Sequence, residues 1–173
     1  MLFRSILRLK GRVFPVSQTP ADLVIEYEDG QVVVGEDYLN YQHLGGKSIK
    51  QISLQHTGEI YQAAKKAILE ADLIIFGPGD LYASLLPNTL VKGFRQALST
   101  SRAIYLWVAN LMTSYEQTHL MTARAHLDEV IKYSGRVPDY VLLNQGVISD
   151  KNLIASYQQA GAQPLIDDLE NLL

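Results

Sequence analysis

The chain has no cysteine. That excludes disulfides, thiolate metal sites and a cysteine nucleophile, and it fits a reducing compartment, with the cytoplasm as the expected location. An excess of positive charge is also missing. Fifteen basic against eighteen acidic residues give a formal net charge of -3, without the basic footprint of a nucleic-acid-binding domain, so no nucleic-acid partner is expected. Long apolar runs are absent as well. The opening MLFRSILRLKGRVF is broken by Arg8, Lys10 and Arg12, which leaves no signal-peptide core and reads as an amphipathic helix. Elsewhere nothing approaches the roughly 20 apolar residues of a membrane span. Internal repeats, low-complexity tracts and Pro/Ser-rich linkers are lacking too, so 173 residues that are 47% hydrophobic read as one domain around one core.

What is present follows two periodicities. Leu23-Val24-Ile25-Glu26-Tyr27 and Gln31-Val32-Val33-Val34 flank Glu28-Asp29-Gly30, and Asp-Gly between β-rich runs predicts an antiparallel hairpin. A third strand is expected over 48–54, where Ile49, Ile52 and Leu54 are separated by polar residues. The pattern then changes. Ile60, Ala63, Ala64, Ala67, Ile68 and Ala71 recur at helical spacing, and Asp72-Leu73-Ile74-Ile75-Phe76 reads as a buried strand ending at Gly77. A helix is expected over about 88–98, a strand over 103–108, a helix over about 117–133, a strand over 140–143 and a helix over 150–160. Helices alternating with short apolar strands predict an α/β fold: a Rossmann-like, mostly parallel sheet with helices on its faces, plus the small antiparallel hairpin.

The segment Gly77-Pro78-Gly79-Asp80-Leu81-Tyr82-Ala83-Ser84 lies between a buried strand and a helix. That is the position at which open α/β sheets bind ligands, beyond the carboxyl ends of their strands. Glycine lets the backbone approach a phosphate, and free amides at a helix start favour negative charge. Ser84 and Asn88 can add hydrogen bonds. Asp80 would repel a bare phosphate, and could instead hold a magnesium-bound water or a ligand hydroxyl, or cap the helix. Turn chemistry alone also accounts for Gly-Pro-Gly. The next strand ends at Asn110-Leu111-Met112-Thr113 and the one after at Asn144-Gln145-Gly146. Three polar strand ends could share one crevice, where the Asn110 and Asn144 amides could read a ribose, sugar or base edge or else cap their own loops.

Other patterns fail on inspection. Gly46-Lys47-Ser48 imitates the end of a P-loop, but the first required glycine falls on Tyr41. His119 and His126 lack a third metal ligand at useful spacing. No GxSxG elbow occurs, and Asp167-Asp168-Glu170 reads as a solvated acidic end.

The ordered set of motifs resembles the CofD/YvcK family, over nearly the whole chain. Gly11 to Val16, continuing to Glu28-Asp29-Gly30, is similar to the family's entry hairpin. Ala71-Asp72-Leu73-Ile74 through Gly77-Pro78-Gly79, with Leu81-Tyr82, Ser84 and Pro87-Asn88, resembles its central block. Asn110, Met112-Thr113, Thr118, Thr122-Ala123 and His126 resemble the third block, and Asp139-Tyr140-Val141-Leu142 with Asn144 the fourth.

The GPGxLY form resembles the gluconeogenesis-factor branch. This implies a regulatory protein of cell shape and carbon metabolism that binds a nucleotide or nucleotide sugar; no covalently bound cofactor is expected, and magnesium could come only with a nucleotide ligand. The phosphate- and nucleotide-binding residues expected from motif and resemblance together are Gly77, Pro78, Gly79, Asp80, Ser84, Asn88, Asn110, Thr113 and Asn144. The other branch implies the alternative of a 2-phospho-L-lactate transferase, and a non-binding structural remnant or interaction half is the third reading. Asp80, Gln117 and His119 stand where the family usually has serine, glutamate and aspartate. The family's glycine-rich opening and its Asp-Asp-Gly-Gly-Ser-Ser segment have no counterpart. The expectation is therefore a single CofD-like domain over 1–173, incomplete at its N-terminus, that either forms a homo-oligomer or is joined by a missing N-terminal half.

Overall fold

The computed structural model describes residues 10–40, 44 and 46–169. Most of the expected opening helix therefore falls outside the described residues. Strands β1 (Leu23–Tyr27), β2 (Val32–Val34) and β3 (Ile49–Leu54) form an antiparallel sheet in the order β2-β1-β3. Alternation in β1 sends Leu23, Ile25 and Tyr27 into the core, as a half-buried strand requires. Gly30, at φ 85°, makes the hairpin turn, and Asp29 closes it by accepting from the Gln31 amide at 3.0 Å. The strand expected over 48–54 is β3, which joins the hairpin on the other side of β1 with Ile52 opposite Ile25.

The second half is α/β. Helix α1 (Gln62–Leu69) leads into β4 (Leu73–Phe76). A wide π-type turn (Leu81–Leu85) runs into α2 (Leu86–Thr89), and then come α3 (Phe94–Thr100), β5 (Ile104–Val108), α4 (Ala123–Ser134), β6 (Tyr140–Leu142) and α5 (Lys151–Gln159). The three strands are parallel, in the order β4-β5-β6. Ile74, Phe76, Tyr105, Trp107 and Val141 join the main core. The Tyr133 hydroxyl of α4 accepts from the Ile52 amide of β3 at 2.8 Å and ties the antiparallel sheet to this layer.

Two expected helices begin or break elsewhere. The helix expected over 88–98 is divided, because Gly93 adopts φ +90° and a Cβ there would lie 3.0 Å from Ile60. At that point the Ile60 amide donates to Lys92 at 2.9 Å, and the Lys92 amide donates to Gly58 at 3.0 Å, so residues 90–93 bridge to the chain before α1 instead of continuing the helix. The helix expected from 117 starts at Ala123, where the Thr122 side chain caps it by accepting from the Ala125 amide. Leu120, at φ 59°, turns the preceding segment away. Among the described residues, no helix is long and apolar enough to cross a membrane.

Candidate functional site

The turn after β4 is built around Gly77. Its φ is +92°, and a Cβ would stand 2.6 Å from the Val108 carbonyl oxygen of the neighbouring strand, so only glycine lets β4 and β5 stay paired as the chain leaves the sheet. The Gly77-Pro78 peptide is cis. Gly79 is then clamped from across the sheet: its amide donates to Asn110 Oδ1 at 3.2 Å, and Asn110 Nδ2 donates to its carbonyl at 3.0 Å. Asn110 lies two residues beyond β5, so one carboxamide fixes both the turn and its distance from the adjacent strand end.

Beyond Gly79 the chain coils into the helical run 81–89. The Asp80 carbonyl accepts from the Ser84 and Leu85 amides at 2.9 and 3.0 Å, a wide first turn that leaves earlier amides to find other partners. Two of these are met by Gln117, whose buried Oε1 accepts from Tyr82 at 3.2 Å and from Ala83 at 3.1 Å. The amides of Asp80 and Leu81 have no hydrogen-bond partner among the described residues. They are the two donors that the turn leaves open. The Asp80 carboxylate is exposed and makes no cap to the helix. The Tyr82 phenol is buried beside Glu129, and burial first, then that charge, raise its pKa far above the ordinary tyrosine range, so it stays protonated.

The structure brings Gly77, Pro78, Gly79, Asp80 and Asn110 together. Ser84 is exposed one turn along. Asn88 donates back to the Ser84 carbonyl at 2.6 Å, so its amide is engaged on its own helix. Thr113 is buried and faces the C-terminal segment: its Oγ1 accepts from the Gln163 amide at 3.0 Å, and its own amide donates to Gln163 at 2.8 Å. Asn144 closes a loop on itself, exchanging bonds with Gly146 at 3.1 and 3.2 Å. Beside it, at the ends of β5 and β6, lies a cavity of about 290 Å³ lined by Leu111, Asn144, Gly146, Ile148, Ile154 and Leu165.

Sequence reasoning missed Gln117 as part of the site. It stands 34 and 35 positions from the amides it caps, and only its departure from the family's usual glutamate drew notice. Among the described residues, no group of three or more His, Cys, Asp or Glu side chains could hold a metal ion. Asp80 is the sole carboxylate of the turn. The described side chains therefore do not by themselves compose a magnesium site.

The profile of the family described as "2-phospho-L-lactate transferase CofD" matches residues 2–173. A Thermotoga maritima protein provisionally named a gluconeogenesis factor is 36% identical over 171 residues, 99% of this chain and 53% of the relative. A Halalkalibacterium halodurans protein named "Gluconeogenesis factor" is 35% identical over 170 residues, 96% of this chain and 51% of its own length. Among solved structures, a member of the UPF0052 family from Bacillus halodurans superposes with a TM-score of 0.88 at 34% identity, over 99% of this chain and 55% of that one. The chain spans about half the length of the curated relatives it matches.

Proposed function

The chain belongs to the CofD family, and on that premise we propose that it is a gluconeogenesis-factor-like binding protein that seats the phosphate of a nucleotide or nucleotide sugar on the turn formed by residues 77–81. One observation carries this reading. The Asp80 and Leu81 amides lie unpaired at the carboxyl end of a parallel strand and at the start of a helical run, where backbone donors and the helix dipole both favour an anion.

The remaining groups take supporting parts. Asn110 and Gln117 hold the turn and the helix start in place, so they act as positioning residues. Asp80 accepts from a ribose or sugar hydroxyl. The cavity beside Asn144, one residue along from Asn110 through Leu111, takes the ring of the base or sugar, and its volume sits at the lower end of the roughly 300–1,000 Å³ usual for small-molecule sites. The regulatory role in carbon metabolism and cell shape follows from the likeness to the gluconeogenesis-factor branch.

Calorimetry against uridine and guanosine diphosphate sugars tests the reading through Gly79→Asp. A Cβ at Gly79 meets only the Leu85 side chain, at 3.4 Å, so the substitution adds a negative charge at the proposed anion site with little cost to folding. The added repulsion is about 1–4 kcal/mol, depending on exposure. A measurable wild-type affinity that Gly79→Asp leaves unchanged rejects the site.

A further inference from the structure

A cavity of about 400 Å³ is walled by β3, the segment joining α2 to α3, and the last turn of α4, and none of residues 77–81 lines it. Its charge is one-sided. Three of its ten lining residues are basic, Lys92, Arg95 and Lys132, and among the described residues no Asp or Glu lines it, in a chain where acidic residues outnumber basic ones by eighteen to fifteen. Much of the remaining wall is apolar, through Ile52, Leu90 and Val91.

The three cations are held in different ways. Arg95 packs against bare backbone: Gly135 sits at φ +71°, and a Cβ there would stand 2.7 Å from Arg95 Nε. The carboxyl end of a helix favours nearby cations, yet among the described residues Arg95 donates to no carbonyl of α4 and pairs with no carboxylate, so the whole guanidinium fork is left for a ligand. Lys92 pairs with Glu59 at 2.9 Å, and both side chains are at least 70% exposed, which makes the pair weak and easily exchanged. Lys132 pairs with Glu129 on its own helix at 2.9 Å. Neither glutamate lines the cavity.

We propose that this cavity is a second ligand site, separate from the turn, that binds a phosphorylated small molecule of sugar size. Arg95 presents its planar fork to the phosphate oxygens, while Lys92 and Lys132 act as point charges on either side of the same opening. The apolar wall takes the carbon skeleton. The volume falls within the roughly 300–1,000 Å³ of small-molecule sites, more than a bare phosphate fills. The inference stands on this cavity alone and does not rest on the nucleotide reading.

The test is calorimetry of the full chain against a hexose bisphosphate, the parent hexose and citrate, repeated in a Gly79→Asp background that disables the turn. The bisphosphate should bind in both backgrounds, the hexose should give no signal, and citrate should bind more weakly. Arg95→Gln should weaken the bisphosphate about ten-fold, as the loss of one charge-assisted contact does, and Lys92→Gln and Lys132→Gln should each weaken it by a smaller factor. All three side chains are exposed, so the unfolding midpoint of each variant should stay unchanged. Nuclear magnetic resonance shifts on adding the bisphosphate should fall on residues 90–95 and 132–135. Absence of binding overturns the proposal, as does binding that Arg95→Gln leaves intact or that citrate matches. Binding that Gly79→Asp abolishes places the bisphosphate at the turn and overturns it as well.

Discussion

Replacing Gly77 by alanine should destabilise the fold far more than the same change two residues later. At Gly77 the backbone sits at φ +92°, and the new Cβ would be placed 2.6 Å from the Val108 carbonyl oxygen. Holding an L-residue in the left-handed region costs about 1–2 kcal/mol. Relieving the contact means moving the backbone of β5 away from β4, since a carbonyl oxygen cannot rotate aside as a side chain can, and overpacking of this kind costs about 1–3 kcal/mol. Together these give roughly 2–5 kcal/mol, which at a urea m-value of about 2 kcal/mol/M lowers the midpoint by roughly 1–2.5 M. Gly79→Ala differs on both counts. Its φ is not in the left-handed region, and its Cβ would meet the movable Leu85 side chain at 3.4 Å, so its midpoint should change little or rise slightly through the reduced entropy of the unfolded chain. Urea titrations followed by Trp107 fluorescence compare the two, because Trp107 is buried on the strand beside the turn. Equal midpoints for the two variants would refute the claim that strand spacing at Gly77 sets the turn.

Gln117→Leu leaves the Tyr82 and Ala83 amides without their acceptor, at about 1–3 kcal/mol per buried unsatisfied group. A clear drop in unfolding midpoint is expected, and Gln117→Glu should restore most of it at neutral pH because a carboxylate is favoured at a helix start. His126 is buried, with Nδ1 donating to the Thr122 carbonyl at 2.9 Å and Nε2 unpartnered. Burial lowers its pKa, partly offset by that carbonyl. The unfolded chain therefore takes up a proton near pH 6.5 that the folded chain does not, so stability is full above that pH and declines below it by at most about 1.4 kcal/mol per unit. His126→Gln should flatten that decline between pH 6.5 and 5 in chemical-unfolding curves. On the proposed regulatory reading, incubation with magnesium, a guanylyl-activated phospholactate and a deazaflavin alcohol should yield no coupled product by mass spectrometry. Multiple turnovers above a Gly79→Asp control would overturn the regulatory reading.

The parts of the fold that were legible in the sequence are those written locally. Leu23, Ile25 and Tyr27 alternate, and an Asp-Gly turn follows them, so the hairpin could be read directly. The apolar run of β4 meets Gly-Pro-Gly at a definite point, so strand and turn could be placed within a residue or two. What escaped was written in tertiary contacts. The helix expected over 88–98 carries apolar residues at helical spacing on both sides of Gly93. Its interruption goes with the hydrogen bonds of Lys92 to Ile60 and Gly58, partners that no window around position 93 contains. Thr122 illustrates the opposite case, since a Thr before Ala123 is an ordinary N-cap signal that the longer apolar periodicity beginning near Gln117 overrode.

The same distinction decides what the site residues mean. Asn110 and Asn144 end successive strands and carry the same side chain, so the sequence presents them as equivalent ligand-reading amides. The structure separates them by partner. Asn110 spends both carboxamide groups on Gly79, 31 residues away, and is part of the reason the turn keeps its shape. Asn144 spends both of its groups within two residues, closing a loop that lines a cavity. A ligand could displace the local pairing at Asn144 by rotating one exposed loop, whereas displacing Asn110 would release Gly79 and with it the start of the helix. Gln117 belongs with Asn110 on this criterion, and Thr113, tied to Gln163, does as well. The polar groups left free at the turn are then few: two backbone amides and the exposed Ser84 hydroxyl, which suit a phosphate, and the Asp80 carboxylate, which suits a hydroxyl. Backbone amides bind phosphate oxygens without regard to base or sugar, so on the proposed reading selectivity among nucleotide ligands comes from the groups around the Asn144 cavity. Substitutions there should change which ligand is preferred, while Gly79→Asp should weaken all of them alike.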